Sequence, residues 1–242
     1  MYAELIDSMG TDLTVVNAAR CSFSAVSTEL SKKDIGLINF LARGCMKSDW
    51  DDALHEAAMF YDVTELEKIL KWAKNMPTHW SPFAHAMITM RETVPIFVAR
   101  QRFKHAVGFA YNEVSRRYVD DTPEFHVPES WRSRPVGGIK QGSAGTHLSN
   151  DYHRGNYAGF IEAAQSLYEN MIEDGVAPEQ ARMVLPQSML TTYWVTGSLY
   201  AWANAYIQRS DAHAQVEIQD MAKQWDEIIS PLFPHSWDAL VK

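Results

Sequence analysis

The chain has 242 residues, an apolar fraction of 46% and a formal net charge of -8 at pH 7, enough to bury a sizeable core in one large domain or two small ones. No apolar run reaches the roughly 20 residues of a membrane span, and the acid-containing start MYAELIDSMGTD lacks the basic and apolar regions of a secretory signal. Cys21 and Cys45 show no C-x-x-C spacing, so the expectation is a soluble cytoplasmic protein without a disulfide or thiolate-metal framework.

Residues 3–8 read as a short strand, and Asp12 is placed to cap a helix running to about Arg20. Ile35, Ile38 and Leu41 give a helical stripe from Asp34 to Arg43. Thr64 and Glu67 have capping-box spacing before LEKILKWAK, a helix start. Rough alternation in HAMITMRETV, after Pro82 and Phe83, predicts a strand. Pro95 suits the first turn of a helix over IFVARQRFKH. The polar stretch from Gly108 to Ser115 reads as a loop, and RRYVDDTPEFHVP as a strand after it.

Residues 131–150, rich in Gly, Ser and Pro, predict a surface loop and the best candidate for disorder. From Tyr157 onward the pattern is mainly helical. Gly175 ends one helix, Pro178 opens the next and Pro186 ends that one, with two further helices over about 190–208 and 211–229. With no repeat and no clean linker, a single α+β domain over 1–242 is predicted.

The stretch RQRFKHAVGFAYNEVSRRY, from Arg100 to Tyr118, gathers Arg100, Arg102, Lys104, Arg116 and Arg117 on an otherwise acidic chain. A local cationic pocket on a net-negative protein suits a small phosphorylated ligand better than a nucleic acid polymer, which calls for a wider basic surface. The plainer reading is a solvated charged turn. Against it, His105, Asn112, Glu113 and Ser115 add directional hydrogen bonding to the charge.

Neither standard phosphate loop occurs, and G-x-S-x-G and H-E-x-x-H are also absent. His79, His85 and His105 could in principle bind a metal. A spacing of six between the first two fits one helix face poorly, and no acid stands at a ligand-like offset, so no metal is expected. His85 reads as a buried structural histidine. Arg182 and Arg209 lie near helix ends, where arginines are usually solvated or favoured by the dipole.

Five segments in order carry a resemblance along nearly the whole chain: LIDSMGTDLTVVNAARCSF, HWSPFAHAMITMRETVPIFVARQRFKH, NEVSRRY, ARMVLP and NAYIQRSDAHAQVEIQ. Together they resemble the flavin-dependent thymidylate synthases, and F-K-H with N-E-V-S-R-R-Y looks like the forms of some bacterial viruses. The resemblance implies an α+β fold of long helices packed on a small, mostly antiparallel sheet. It implies conversion of dUMP to dTMP, with methylenetetrahydrofolate as one-carbon donor, FAD as hydride carrier and NADPH as reductant. It also implies a homotetramer with active sites between subunits.

By the same resemblance, Gln101, Lys104, Glu113, Val114, Ser115, Arg116, Arg117, Arg182 and Arg209 fall where the family contacts dUMP. Arg209 is the catalytic candidate: a fixed cation against the uracil favours ionisation at N3 and raises nucleophilicity at C5. Ser22, His79, Ser81, Lys104, His105, Ala106, Glu113, Ser198, Tyr200 and Asn204 match flavin-contacting positions. No protein nucleophile is required, so Ser115 is assigned to positioning rather than attack.

The sequence departs from the family pattern in two places. The signature Arg-His-Arg, with serine after seven residues, is here Lys104-His105-Ala106, with Ser115 after eight. Arg102 or Arg116 is available to replace the lost charge. Ser198 and Tyr200 stand where the family usually has asparagine and arginine. Two alternatives follow from these changes: an enzyme acting on another pyrimidine nucleotide, and a non-catalytic nucleotide-binding protein.

Overall fold

In the computed structural model, residues 1–45, 78–137 and 142–242 are described, together with His55, Met59, Thr64, Leu66 and Lys68. Glu67 lies outside the described residues, and with it the capping box predicted at Thr64 and Glu67. The first strand forms as expected: β1 is Tyr2–Met9. Gly10 follows at φ +91, a left-handed turn that any Cβ would strain, and that Cβ would also meet the Thr14 hydroxyl at 3.0 Å.

Helix α1, Asp12–Arg20, is capped by Thr11 rather than by Asp12. Asp12 is instead buried, accepting from the amides of His235 and Ser236 at 2.9 and 2.8 Å. Those amides open a helix the sequence reading did not anticipate, and a carboxylate is favoured there by the helix dipole. Helix α2, Lys32–Ala42, starts two residues before the predicted position because Ser31 and Asp34 form a reciprocal capping box. The Ser31 hydroxyl and amide, then the Arg20 guanidinium, hold the Asp34 carboxyl below the usual carboxylate range.

Strand β2 is Met87–Pro95, and Ser81–His85, separated from it by Ala86, form a 3-10 turn. Pro95 caps α3, Ile96–Arg102, which is shorter than the predicted helix. The loop expected over Gly108 to Ser115 is largely strand β3, Phe109–Glu113. The strand expected after it reduces to an isolated bridge between Phe125 and Met189. The largest correction is at 190–198, predicted helical but forming β4, Leu190–Ser198. Thr191, Tyr193 and Val195 are buried there while Trp194 is half exposed, the period-two signature of a strand.

The sheet order is β1-β2-β4-β3. Hydroxyl pairs Thr89–Thr196 and Thr93–Thr192, both at 2.9 Å, fix the register of β2 and β4. One index rises by four as the other falls by four, so the two strands are antiparallel. The chain is α+β, with helices α4 Asn150–Glu173, α5 Pro178–Ala181, α6 Leu199–Ser210, α7 Val216–Leu232 and α8 Pro234–Val241. Gly175, at φ +81, follows α4 as predicted. Helix α4 begins earlier than Tyr157 and buries only Ala164 and Tyr168.

The residues group into two compact units interleaved along the chain. The first comprises Met1–Ile6, Thr89–Thr196 and Gln208–Trp225; the second comprises Asp7–Ile88, Gly197–Ile207 and Asp226–Lys242. Met90, Val94, Val98, Tyr168 and Tyr193 are core residues of the first unit, and Val16, Ile38, Phe83, Trp202 and Trp237 of the second. The described part of 131–150 is paired rather than disordered. Ser133 exchanges backbone bonds with Gly145 and Ala144, both at 2.9 Å, and Arg132 bridges to Thr146. No described helix is long and apolar enough to cross a membrane.

Candidate active site

In the first unit, the end of β3 opens onto a cavity of about 510 Å³ lined by Glu113, Val114, Ser115, Arg116 and Arg182, among others. Its position follows from strand pairing. The Val114 amide donates to the Thr192 carbonyl at 2.9 Å, and the Thr191 hydroxyl donates to Glu113 Oε1 at 2.7 Å. Residues 116–118 then form a turn. Arg182 sits in the 3-10 turn Arg182–Val184 after α5 and donates from Nε to the Glu179 carbonyl at 3.3 Å.

Of the nine positions expected to contact dUMP, five line this one cavity, whose size is in the range of small-molecule sites. Arg116 is already engaged: it reaches the Asp121 carboxylate at 3.0 Å and lies 5.9 Å from the Tyr168 ring centre. Arg117 is exposed and pairs loosely with Glu179 at 3.5 Å. Its amide donates to the Ser115 hydroxyl oxygen at 3.4 Å.

A second cluster joins the ends of α3 and α6. Arg209 donates from Nε to His105 Nε2 at 2.8 Å and from Nη2 to the Gln101 carbonyl at 3.1 Å. The Gln101 amide in turn donates to Gln215 Oε1 at 2.6 Å. Burial first, then the Arg209 and Arg102 cations, push His105 down to about 4. The ring is therefore neutral at physiological pH, with Nε2 accepting and its proton on Nδ1. Burial and Arg102 also push Arg209 down from its ordinary value, although a guanidinium remains a cation near neutrality. Arg209 thus donates to His105 and Gln101 rather than to the cavity residues. Lys104 and Ala106 are exposed.

The charge state of His105 is measurable. A proton NMR titration of its ring is expected to give a midpoint of about 4, against about 6.5 for a free histidine. Because the folded value is depressed, the histidine's contribution to stability is lost as pH falls from 6.5 towards that midpoint. A midpoint near 6.5 would mean that Arg209 does not donate to this ring.

Arg102 does not belong to the cationic surface that the sequence reading assigned it to. It is fully buried, 3.4 Å from the Glu92 carboxylate, with its guanidinium carbon 4.3 Å from the Phe109 ring centre and 4.8 Å from that of Trp225. It donates to the Tyr111 hydroxyl at 2.6 Å, and that hydroxyl reaches the His105 carbonyl at 2.8 Å. Burial pushes Tyr111 up to about 12. Tyr193 completes the group, donating to Glu92 Oε2 at 2.6 Å. The sequence carried one signal for this network: Glu92 shares strand parity with buried Met90 and Val94, and a carboxylate on a buried face needs partners.

The remaining flavin-assigned positions lie in the second unit. Ser22 and Ser81 are exposed, and His79 stacks on Phe40 with centroids 5.6 Å apart. Tyr200 lies 5.7 Å from Trp80. The Ser198 hydroxyl accepts from the Ala201 amide at 3.2 Å, capping α6, and Asn204 donates to the Tyr200 carbonyl at 3.0 Å. His85 is exposed, not buried as predicted, because it ends the 3-10 turn rather than entering β2. Among the described residues, no group of three or more His, Cys, Asp or Glu is placed to hold a metal ion.

Comparison with known proteins agrees with the family resemblance. Residues 4–235 match the Thy1 family, described as thymidylate synthase complementing protein. The flavin-dependent thymidylate synthase of Thermotoga neapolitana is 30% identical over all of this chain and 91% of its own length. That of Thermus thermophilus is 30% identical over 98% of this chain and 74% of its own. Among solved structures, the UMP/dUMP methylase PolB from Streptomyces cacaoi bound with 5-Br dUMP aligns with a TM-score of 0.72 at 26% identity, covering 98% of this chain and 93% of that one.

Proposed function

We propose, from the premise that this chain belongs to the thymidylate synthase complementing protein family and is a methyltransferase, that it converts dUMP to dTMP. The observation carrying this reading is the convergence of Glu113, Val114, Ser115, Arg116 and Arg182 on one cavity. Arg182 and the 115–117 turn hold the phosphate end of the nucleotide, and Glu113, fixed by Thr191, accepts from it. Gln101, Lys104 and Arg117 complete the nucleotide contacts. Arg209, oriented by neutral His105 and the Gln101 carbonyl, places a fixed cation against the uracil, where it stabilises charge on the ring.

The positions assigned to FAD fit a flat aromatic cofactor. The Trp80–Tyr200 pair and the His79–Phe40 stack offer ring faces, and Ser22 and Ser81 offer exposed hydroxyls. Ser198, Asn204, Lys104, His105, Ala106 and Glu113 complete the assignment. FAD, when bound, supplies hydride transfer, with NADPH as reductant and methylenetetrahydrofolate as one-carbon donor. The residues of this chain bind, orient and polarise; none is needed as a nucleophile. The assembly is a cytoplasmic homotetramer of one family domain per chain.

A second reading adds UMP as a substrate, favoured by the UMP/dUMP methylase among the structural neighbours. The test is the visible spectrum of the purified chain with FAD, before and after dUMP, followed by turnover of dUMP, UMP and dCMP. A flavin spectrum perturbed by dUMP is the expected result. Product from UMP would support the second reading. A chain that cannot be loaded with FAD would overturn both and favour a non-catalytic nucleotide binder.

A further inference from the structure

The first unit holds another cavity, of about 400 Å³, lined by Phe97, His126, Trp131, Arg132, Ser188, Gln215 and Glu217, among others. None of these residues is among those assigned to dUMP or FAD. Four of these residues carry a buried polar side-chain atom that has no hydrogen-bond partner: His126 Nε2, Trp131 Nε1, Ser188 Oγ and Glu217 Oε2. Buried polar atoms are nearly always satisfied, so four around one cavity point to a missing partner.

The chemistry of the lining is specific. Glu217 is only 7% exposed, and its Oε1 is held by Arg132 at 2.6 Å. Burial is the largest single influence and would raise this carboxyl, but the hydrogen bond and charge of Arg132, the Glu217 amide and the Gln215 side chain together outweigh it and keep Glu217 below the ordinary range, hence ionised. Arg132 cancels that charge, so the lining as a whole is neutral. An anion would face Glu217, and a cation would compete with Arg132 for it. Burial depresses His126, which leaves a neutral imidazole. The walls are aromatic, with Trp131 and Tyr157 edge to face at 5.3 Å and Phe97 against His126 at 6.0 Å.

We propose that this cavity binds a neutral planar amide of one or two rings, either a ring lactam or an aromatic carboxamide. Its N–H donates to Glu217 Oε2 and its carbonyl accepts from Trp131 Nε1, with Ser188 and His126 completing the polar edge. The site is separate from the Glu113–Arg182 cavity, but Gln215 links it to Gln101 through one hydrogen bond of 2.6 Å. The proposal does not rest on the thymidylate reading.

The test uses the full chain labelled with ¹⁵N at tryptophan, the Trp131 indole signal being assigned with Trp131→Phe. Nicotinamide represents the carboxamide, hypoxanthine the lactam, and N,N-dimethylbenzamide an amide without N–H. Nicotinamide or hypoxanthine is expected to move the Trp131 indole resonance saturably, while the dimethyl compound does not. Which of the two responds identifies the source of the amide. Glu217→Gln should weaken binding about tenfold or more, as loss of a charge-assisted bond does. Ser188→Ala, which leaves the ion pair intact, should weaken it by about threefold or more. No saturable shift from either probe, an equal response to the dimethyl compound, or unchanged binding in Ser188→Ala would overturn the proposal. The four atoms would then be satisfied by buried water.

Discussion

Replacing Arg209 by alanine is expected to lower turnover of dUMP by about a hundred- to a thousandfold, the range found when one preorganised donor to a developing charge is removed. The side chain is built for such a role. Its Nε and Nη2 are held by two acceptors on or beside α3, His105 Nε2 at 2.8 Å and the Gln101 carbonyl at 3.1 Å. The cation therefore needs no reorganisation when charge appears on a bound ring. Arg209→Lys should recover little, because an ammonium cannot reach both acceptors with a planar fork. The loss should fall on kcat more than on KM, with FAD retained. In the same variant His105 should titrate above its midpoint of about 4, since Arg209 is the second-largest cause of its depression. Normal dTMP formation by Arg209→Ala would remove Arg209 from the chemistry, whatever the geometry around it.

Arg209 stands out in sequence because it sits in the segment NAYIQRSDAHAQVEIQ; its partners do not. The pairing with His105 joins residues 104 positions apart and arises only when α3 and α6 end together. The sheet divides in the same way. HAMITMRETV announces β2 by alternation, but Leu190–Ser198 lies directly before the helix-forming LYAWANAYIQ, and its period-two burial depends on pairing with β2. Without that partner the segment reads equally well as the start of a longer helix. Phe109–Glu113 was read as a loop for its polarity, yet it is an edge strand with one neighbour, where exposed polar residues are tolerated. The charge of Arg102 was visible in sequence, but its burial was not, because that depends on Glu92, Tyr111 and Trp225 arriving from three other elements.

That buried group leads to the largest expected effect on stability. Glu92 and Arg102 are both fully buried and 3.4 Å apart. Glu92→Ala should destabilise the fold by about 3–5 kcal/mol, because it removes the buried carboxylate that faces the guanidinium. It also removes the acceptor of the Tyr193 hydroxyl bond at 2.6 Å. Urea denaturation should register this as a lower midpoint at unchanged slope. Glu92→Gln, which keeps an acceptor for Tyr193, should lose less. The double variant Glu92→Gln/Arg102→Met removes both charges and should recover most of the stability, since a buried pair often contributes little net over apolar packing. Activity is the discriminating readout. Arg102 holds the Tyr111 hydroxyl at 2.6 Å, and Tyr111 holds the His105 carbonyl at 2.8 Å. The double variant should therefore be stable but slow, with its His105 titration moved upward because the Arg102 cation is gone. Recovery of stability together with full turnover would make the pair a packing device only; stability without turnover makes it the anchor that holds His105, and through it Arg209, in place.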